Sequence, residues 1–177
     1  EWWALYGLLQ SFSLKWIFKG ITPAWSLSVE AAFYVMLPLF ALALARAGRG
    51  LDRERRLRLQ LVTLACFGAF GLGYRAFTFH QRSFLLLGTT LPAFLLWFSV
   101  GMSVAVLSAW YEGRERAWGP TRWIARNSGW CWTLAMGVLV GMSLSKVFPR
   151  PFSTEPDTMA SHLGEHVLYA LVALLVM

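Results

Sequence analysis

Residues 84–109 read FLLLGTTLPAFLLWFSVGMSVAVLSA, a run with no charged side chain. A helix rises about 1.5 Å per residue, so these residues reach across a hydrocarbon layer of about 30 Å. Five further apolar runs flank this one, near 2–14, 27–45, 59–74, 130–148 and 167–177. The runs near 27–45, 59–74, 84–109 and 130–148 are read as spans, and the two terminal ones as cut spans. The apolar residues run continuously instead of alternating in and out, which points to helices and away from a lumen-lined barrel. The expected fold is therefore all-α, a multi-pass transmembrane helix bundle truncated at both ends, with residues 1–177 belonging to one transmembrane domain.

Composition supports this. Apolar residues make up 57% of the 177 and charged residues 14%, whereas soluble domains average about 45–50% and about 25%. The balance excludes a disordered chain, a collagen-like chain and an ordinary soluble enzyme domain. A net charge of +7 would suggest nucleic acid as partner in a soluble protein, but here the excess lies in loops beside apolar spans, and no nucleic acid is expected. Alternate loops hold ten and six basic residues. The ten are Arg46, Arg49, Arg53, Arg55, Arg56, Arg58, Arg114, Arg116, Arg122 and Arg126; the six are Lys15, Lys19, Arg75, Arg82, Lys146 and Arg150. The positive-inside rule assigns 46–58 and 112–126 to the cytoplasm. Nine of the ten tryptophans fall near span ends, as an interfacial belt requires, and Trp97 alone falls mid-span. Cys66 and Cys131 read as small buried hydrophobes.

Small residues recur at four-residue spacing, as Ala65, Ala69 and Gly73; Gly101, Ala105 and Ala109; and Gly137, Gly141 and Ser145. Such strips are expected to let helices approach closely.

One stretch departs from a plain lipid-facing helix: Thr22-Pro23-Ala24-Trp25-Ser26-Leu27-Ser28-Val29-Glu30-Ala31-Ala32-Phe33-Tyr34-Val35-Met36-Leu37-Pro38. Thr22 and Pro23 suit an N-cap with proline at the first helical position, and Ser26 offers a second cap. Ser26, Glu30 and Tyr34 are spaced i, i+4, i+8 and share a helix face. A charged side chain at the bilayer centre costs about 2.5–3.5 kcal/mol on insertion scales, so Glu30 needs a partner or a watery cavity and is a candidate functional residue. The competing reading places Glu30 in the first turn, favoured by the helix dipole. Pro38 removes a backbone donor and predicts a kink below the stripe.

Trp25-Ser26-Leu27, Glu30, Phe33-Tyr34 and Pro38 resemble the W-S-L-x-x-E-x-x-F-Y-x-x-x-P signature of the acyltransferase 3 family of integral membrane proteins. Leu91-Pro92, Trp97-Phe98 and Gly101-Met102 are similar to an L-P…W-F-x-x-G-M stretch in some members. The resemblance covers most of residues 16–109. It implies a bacterial-type inner-membrane, multi-pass enzyme that moves an acyl group, typically acetyl, from acyl-CoA to a hydroxyl of an extracytoplasmic glycan or lipid-linked acceptor. It implies no permanently bound cofactor. Its partners would be membrane lipid, the acyl-CoA donor and the acceptor. Family members rely on a His on their first membrane helix with an Arg upstream, and none of this chain's three histidines matches that motif, so this segment by itself is expected to be inactive. Glu30 is then the candidate catalytic carboxylate, orienting or charging that His or binding the acceptor. Ser26 and Tyr34 are candidate hydrogen-bonding neighbours in substrate binding, and Trp25 is a packing wall. Arg75 is a candidate partner for Glu30 or for an anionic group, with a snorkelling interfacial arginine as the plainer account.

Two other readings compete. In one, Glu30 is a proton or substrate relay in a transporter or flippase-like protein. In the other, His162-Leu163-Gly164-Glu165-His166 spells H-x-x-E-H, an arrangement used by some zinc peptidases. Gly164 weakens a helix there, no third ligand is evident and the segment reads as loop before the last span, so no metal site is assigned. His80 reads as an exposed loop residue. No G-x-G-x-x-G, phosphate-binding loop or G-x-S-x-G is present.

Overall fold

A computed structural model of the chain describes residues 24–79, 87–111, 128–145 and 158–176. These residues are helical apart from short turns, and none of them lies in a strand. The helices are α1 (Ala24–Ala47), α2 (Arg53–Phe79), α3 (Leu95–Tyr111), α4 (Ser128–Leu144) and α5 (Met159–Val176), with a 3₁₀ turn, Leu91–Phe94, leading into α3. Among the described residues, four segments are long and apolar enough to cross a membrane: Ser26–Ala47, Arg53–Phe79, Leu91–Tyr111 and Met159–Val176. The run near 2–14 and His80 lie outside the described residues.

Two of the expected spans are corrected. The run near 130–148 forms a helix that ends at Leu144, and its apolar part is shorter than the other four. The last run does not start at 167. Its helix begins at Met159 and takes in His162, Gly164, Glu165 and His166, so the stretch expected as loop is helical. A Thr158/Ser161 exchange caps it: Ser161 N donates to Thr158 Oγ1 at 3.1 Å, and Thr158 N donates to Ser161 Oγ at 3.2 Å. That reciprocal pairing satisfies two amides that would otherwise be orphaned at a helix start, and it outweighs the modest helix penalty of Gly164.

The chain divides into two compact units, residues 1–95 and 96–177. In the first, α1 continues through Pro38 and stops at Gly48 and Gly50. Gly50 has φ = 79°, a left-handed conformation open to glycine at little cost. Asp52 sits just before α2 and Glu54 lies in its first turn, where acidic groups favour the helix N-terminus. The chain reverses here, and Phe40 of α1 meets Phe67 of α2 with ring centroids 4.9 Å apart. The Leu91–Phe94 turn packs on α2 and on α1, burying Ala93, Phe94 and Leu95.

In the second unit α4 packs along α5. Cys131 and Ala135 are buried on α4, and Ala170 is buried on α5. The strip Gly137, Gly141 and Ser145 is not the close-approach seam of α4. Gly137 and Gly141 are exposed, and a methyl group added to either would meet nothing within 4 Å. On α2 the buried small residues are Gly68 and Gly71, whereas Ala65, Ala69 and Gly73 are exposed. Cys66 is exposed too, contrary to the buried reading, while Cys131 is buried. The cause is common to all these positions: the surroundings of a membrane helix are as apolar as its interior, so small or apolar character does not reveal the packed face.

Candidate functional site

Among the described residues, three gatherings of polar side chains lie within the apolar segments. The first is the stripe on α1. Helical geometry lines up Ser26, Glu30 and Tyr34, each about 6 Å further along the axis than the last. Ser26 is half-buried, Glu30 is exposed and Tyr34 is 66% exposed. The adjoining face points inward: Val29 is buried, and Ser28 Oγ is buried without a hydrogen-bond partner among the described residues. Phe33, part of the same motif, lies 6.0 Å from the Tyr34 ring, tilted at 54°. Trp25 belongs to α1, but its side chain lies outside the described residues. The stripe therefore occupies the open side of α1, where a further helix, a substrate or lipid can reach it.

The second gathering surrounds Arg75, near the C-terminal end of α2. Arg75 is 7% exposed, so it is not a snorkelling interfacial residue. Its Nε donates to the Ala93 carbonyl at 3.0 Å, and its guanidinium carbon lies 5.1 Å from the centre of the Phe94 ring. Thr78, fully buried, donates from Oγ1 to the Arg75 carbonyl at 3.2 Å. One residue earlier, the Tyr74 hydroxyl and Thr90 Oγ1 are 3.2 Å apart, and Thr90 Oγ1 donates to the Leu87 carbonyl at 2.6 Å. A buried cation is tolerable only when hydrogen-bonded or stacked. The 3₁₀ turn supplies both, because it brings a carbonyl and an aromatic face over α2 together. These contacts of Arg75 run to Ala93 and Phe94 and not to Glu30.

The third gathering is legible in the sequence only as fragments. His162 and His166 are both buried on α5, one turn apart, with ring centroids at 5.1 Å. His166 Nδ1 lies 3.2 Å from the His162 carbonyl, an acceptor, so this contact requires the proton on Nδ1. Trp97 stacks on His166 at 5.2 Å and 18°, and donates from Nε1 to the His166 carbonyl at 3.0 Å. Tyr169 meets the Trp97 ring edge-on at 6.1 Å, and Glu165 lies one turn before it on α5. Two signals point here, the single tryptophan outside the interfacial belt and two histidines at i, i+4. Neither says that they meet. Among the described residues no group of three or more His, Cys, Asp or Glu converges in a way that would hold a metal ion.

The helix lengths and the continuous apolar surfaces define a multi-pass α-helical membrane protein. Compared with family models, curated proteins and solved structures, the chain matches none.

Proposed function

We propose that this chain is part of a membrane-bound acyltransferase that moves an acyl group from acyl-CoA to a hydroxyl of an extracytoplasmic glycan or lipid-linked acceptor. The observation that carries the reading is the W-S-L-x-x-E-x-x-F-Y-x-x-x-P spacing on a membrane-length helix, which puts Ser26, Glu30 and Tyr34 in one line on its open side. A bacterial-type inner membrane is the setting that the resemblance implies.

In the reaction the acceptor oxygen attacks the thioester carbonyl. A C–O bond forms, the C–S bond breaks, and the hydroxyl proton passes through a base to the departing thiolate. Glu30 holds an imidazole or the acceptor hydroxyl in the orientation this transfer needs, because a base must lie within hydrogen-bond reach of the proton it takes. Ser26 and Tyr34 offer flanking hydroxyl groups. Arg75, anchored by Ala93 and Phe94, supplies positive charge in the same unit for an anionic substrate group.

The test is acyl transfer by membranes that contain the full-length protein, with radiolabelled acetyl-CoA as donor. Label appearing in glycan or lipid, and its loss in Glu30→Gln, supports the enzyme. Movement of acceptor across the bilayer without consumption of acyl-CoA favours the carrier reading instead.

A further inference from the structure

We infer that the hairpin joining α1 to α2 is a docking surface for the phosphate groups of anionic membrane lipids. This inference does not depend on the acyltransferase reading.

Depth comes first. α2 has 27 residues, roughly 40 Å of helix, against a hydrocarbon core of about 30 Å. Its apolar part begins at Leu59, and Leu59–Phe79 alone covers that core. Arg53–Arg58 therefore stand at headgroup level, as do Arg46 in the last turn of α1 and Arg49 in the turn.

Charge comes second. Residues 46–58 hold six arginines, Arg46, Arg49, Arg53, Arg55, Arg56 and Arg58, and two carboxylates, Asp52 and Glu54. The carboxylates are engaged by Arg55 at 3.3 Å and Arg58 at 2.7 Å. Six positive and two negative charges leave the segment at +4, and all six arginines are exposed. Arg46 and Arg49 have no carboxylate partner among the described residues.

The turn is also built to hold this arrangement. Gly48 N donates to the Leu44 carbonyl at 2.9 Å, and Leu51 N donates to the Gly48 carbonyl at 3.2 Å. Arg56 lays its stem across Gly48, where a methyl group would come within 3.3 Å of its Cγ, and donates from Nη2 to the Leu51 carbonyl at 3.4 Å. Arg46, Arg49 and Arg56 are thus carried by a defined backbone at one level. Guanidinium groups match phosphate oxygens with two parallel hydrogen bonds. The arginines are spread over an open surface, which suits several headgroups of a leaflet better than one enclosed soluble anion.

The experiment uses the full-length protein in neutral detergent, titrated with phosphatidylglycerol or phosphatidylcholine, with bound lipid counted by native mass spectrometry. The wild type should favour phosphatidylglycerol, by about fivefold for each arginine engaged, the equivalent of about 1 kcal/mol. Arg46→Gln, Arg49→Gln and Arg56→Gln combined should remove most of that preference. Asp52→Asn with Glu54→Gln adds positive charge without touching these arginines and should strengthen it, so the inference stays testable even if the triple variant folds poorly. An unchanged preference in both variants would overturn it. So would release of bound phosphatidylglycerol by millimolar inorganic phosphate, which would mark the surface as a soluble-anion site.

Discussion

Two of the helices that carry ionisable groups into membrane-length segments, α5 and α1, treat them in opposite ways. On α5, His162 and His166 are buried, and Trp97 stacks on the His166 ring and hydrogen-bonds its backbone carbonyl. On α1, Glu30 and Tyr34 sit on the exposed side while Val29 turns inward. An intramembrane polar group needs partners. The α5 histidines are enclosed by ring contacts within their own chain. Glu30 and Tyr34 of the α1 stripe stay open to groups beyond α1, which makes that stripe the better candidate for chemistry.

The sharpest way to break this contrast is Glu30→Gln in the full-length protein. Acyl transfer should fall by about two orders of magnitude or more, in line with loss of a proton-transfer group, while membrane insertion and thermal unfolding stay unchanged. Normal activity would remove Glu30 from the chemistry. Arg75→Leu should act through stability, lowering it by about 2–4 kcal/mol in detergent unfolding, since the buried Ala93 carbonyl loses its donor. Arg75→Lys should recover only part of this, because an ammonium group lacks the planar fork that bonds Ala93 and lies over Phe94.

On the α5 side, Trp97→Phe keeps an aromatic ring against His166 and removes the Nε1 donor. A loss of about 1 kcal/mol in unfolding is expected, with acyl transfer per folded molecule unchanged. A large activity loss at full stability would move the functional centre to α5. The smallest effect is expected at Tyr34→Phe, whose exposed hydroxyl should alter stability by less than about 0.5 kcal/mol. Its value lies in the readout: a raised KM for the acceptor without destabilisation would give the stripe a binding role.

Much of the architecture is legible without coordinates, and the departures from it have a shared cause. The spans in α1, α2 and α3 follow from apolar runs and the glycines or charges that end them. The segment 158–166 looks like a loop in sequence because it carries His162, Glu165, His166 and Gly164. The Thr158/Ser161 cap, a contact between residues three apart, is present in the sequence and is the signal that extends α5. Arg75 offers no such local signal. Its burial depends on Leu91–Phe94 folding back over α2, and Ala93 and Phe94 lie 18 and 19 positions further along the chain. The same holds for Trp97 and His166, 69 positions apart.

By itself the sequence determined that this is a helical, multi-pass membrane protein, and it marked Glu30 as the carboxylate to explain. Hydrocarbon thickness sets span length, and a continuous apolar run is a local property that needs no partner to be recognised. Only the tertiary structure decided which polar groups are enclosed. In water a helix announces its buried face by periodicity, but a helix apolar all round in an apolar solvent carries no such stripe. The placing of Arg75, Cys66, Trp97 and the two histidines therefore had to come from how the helices meet.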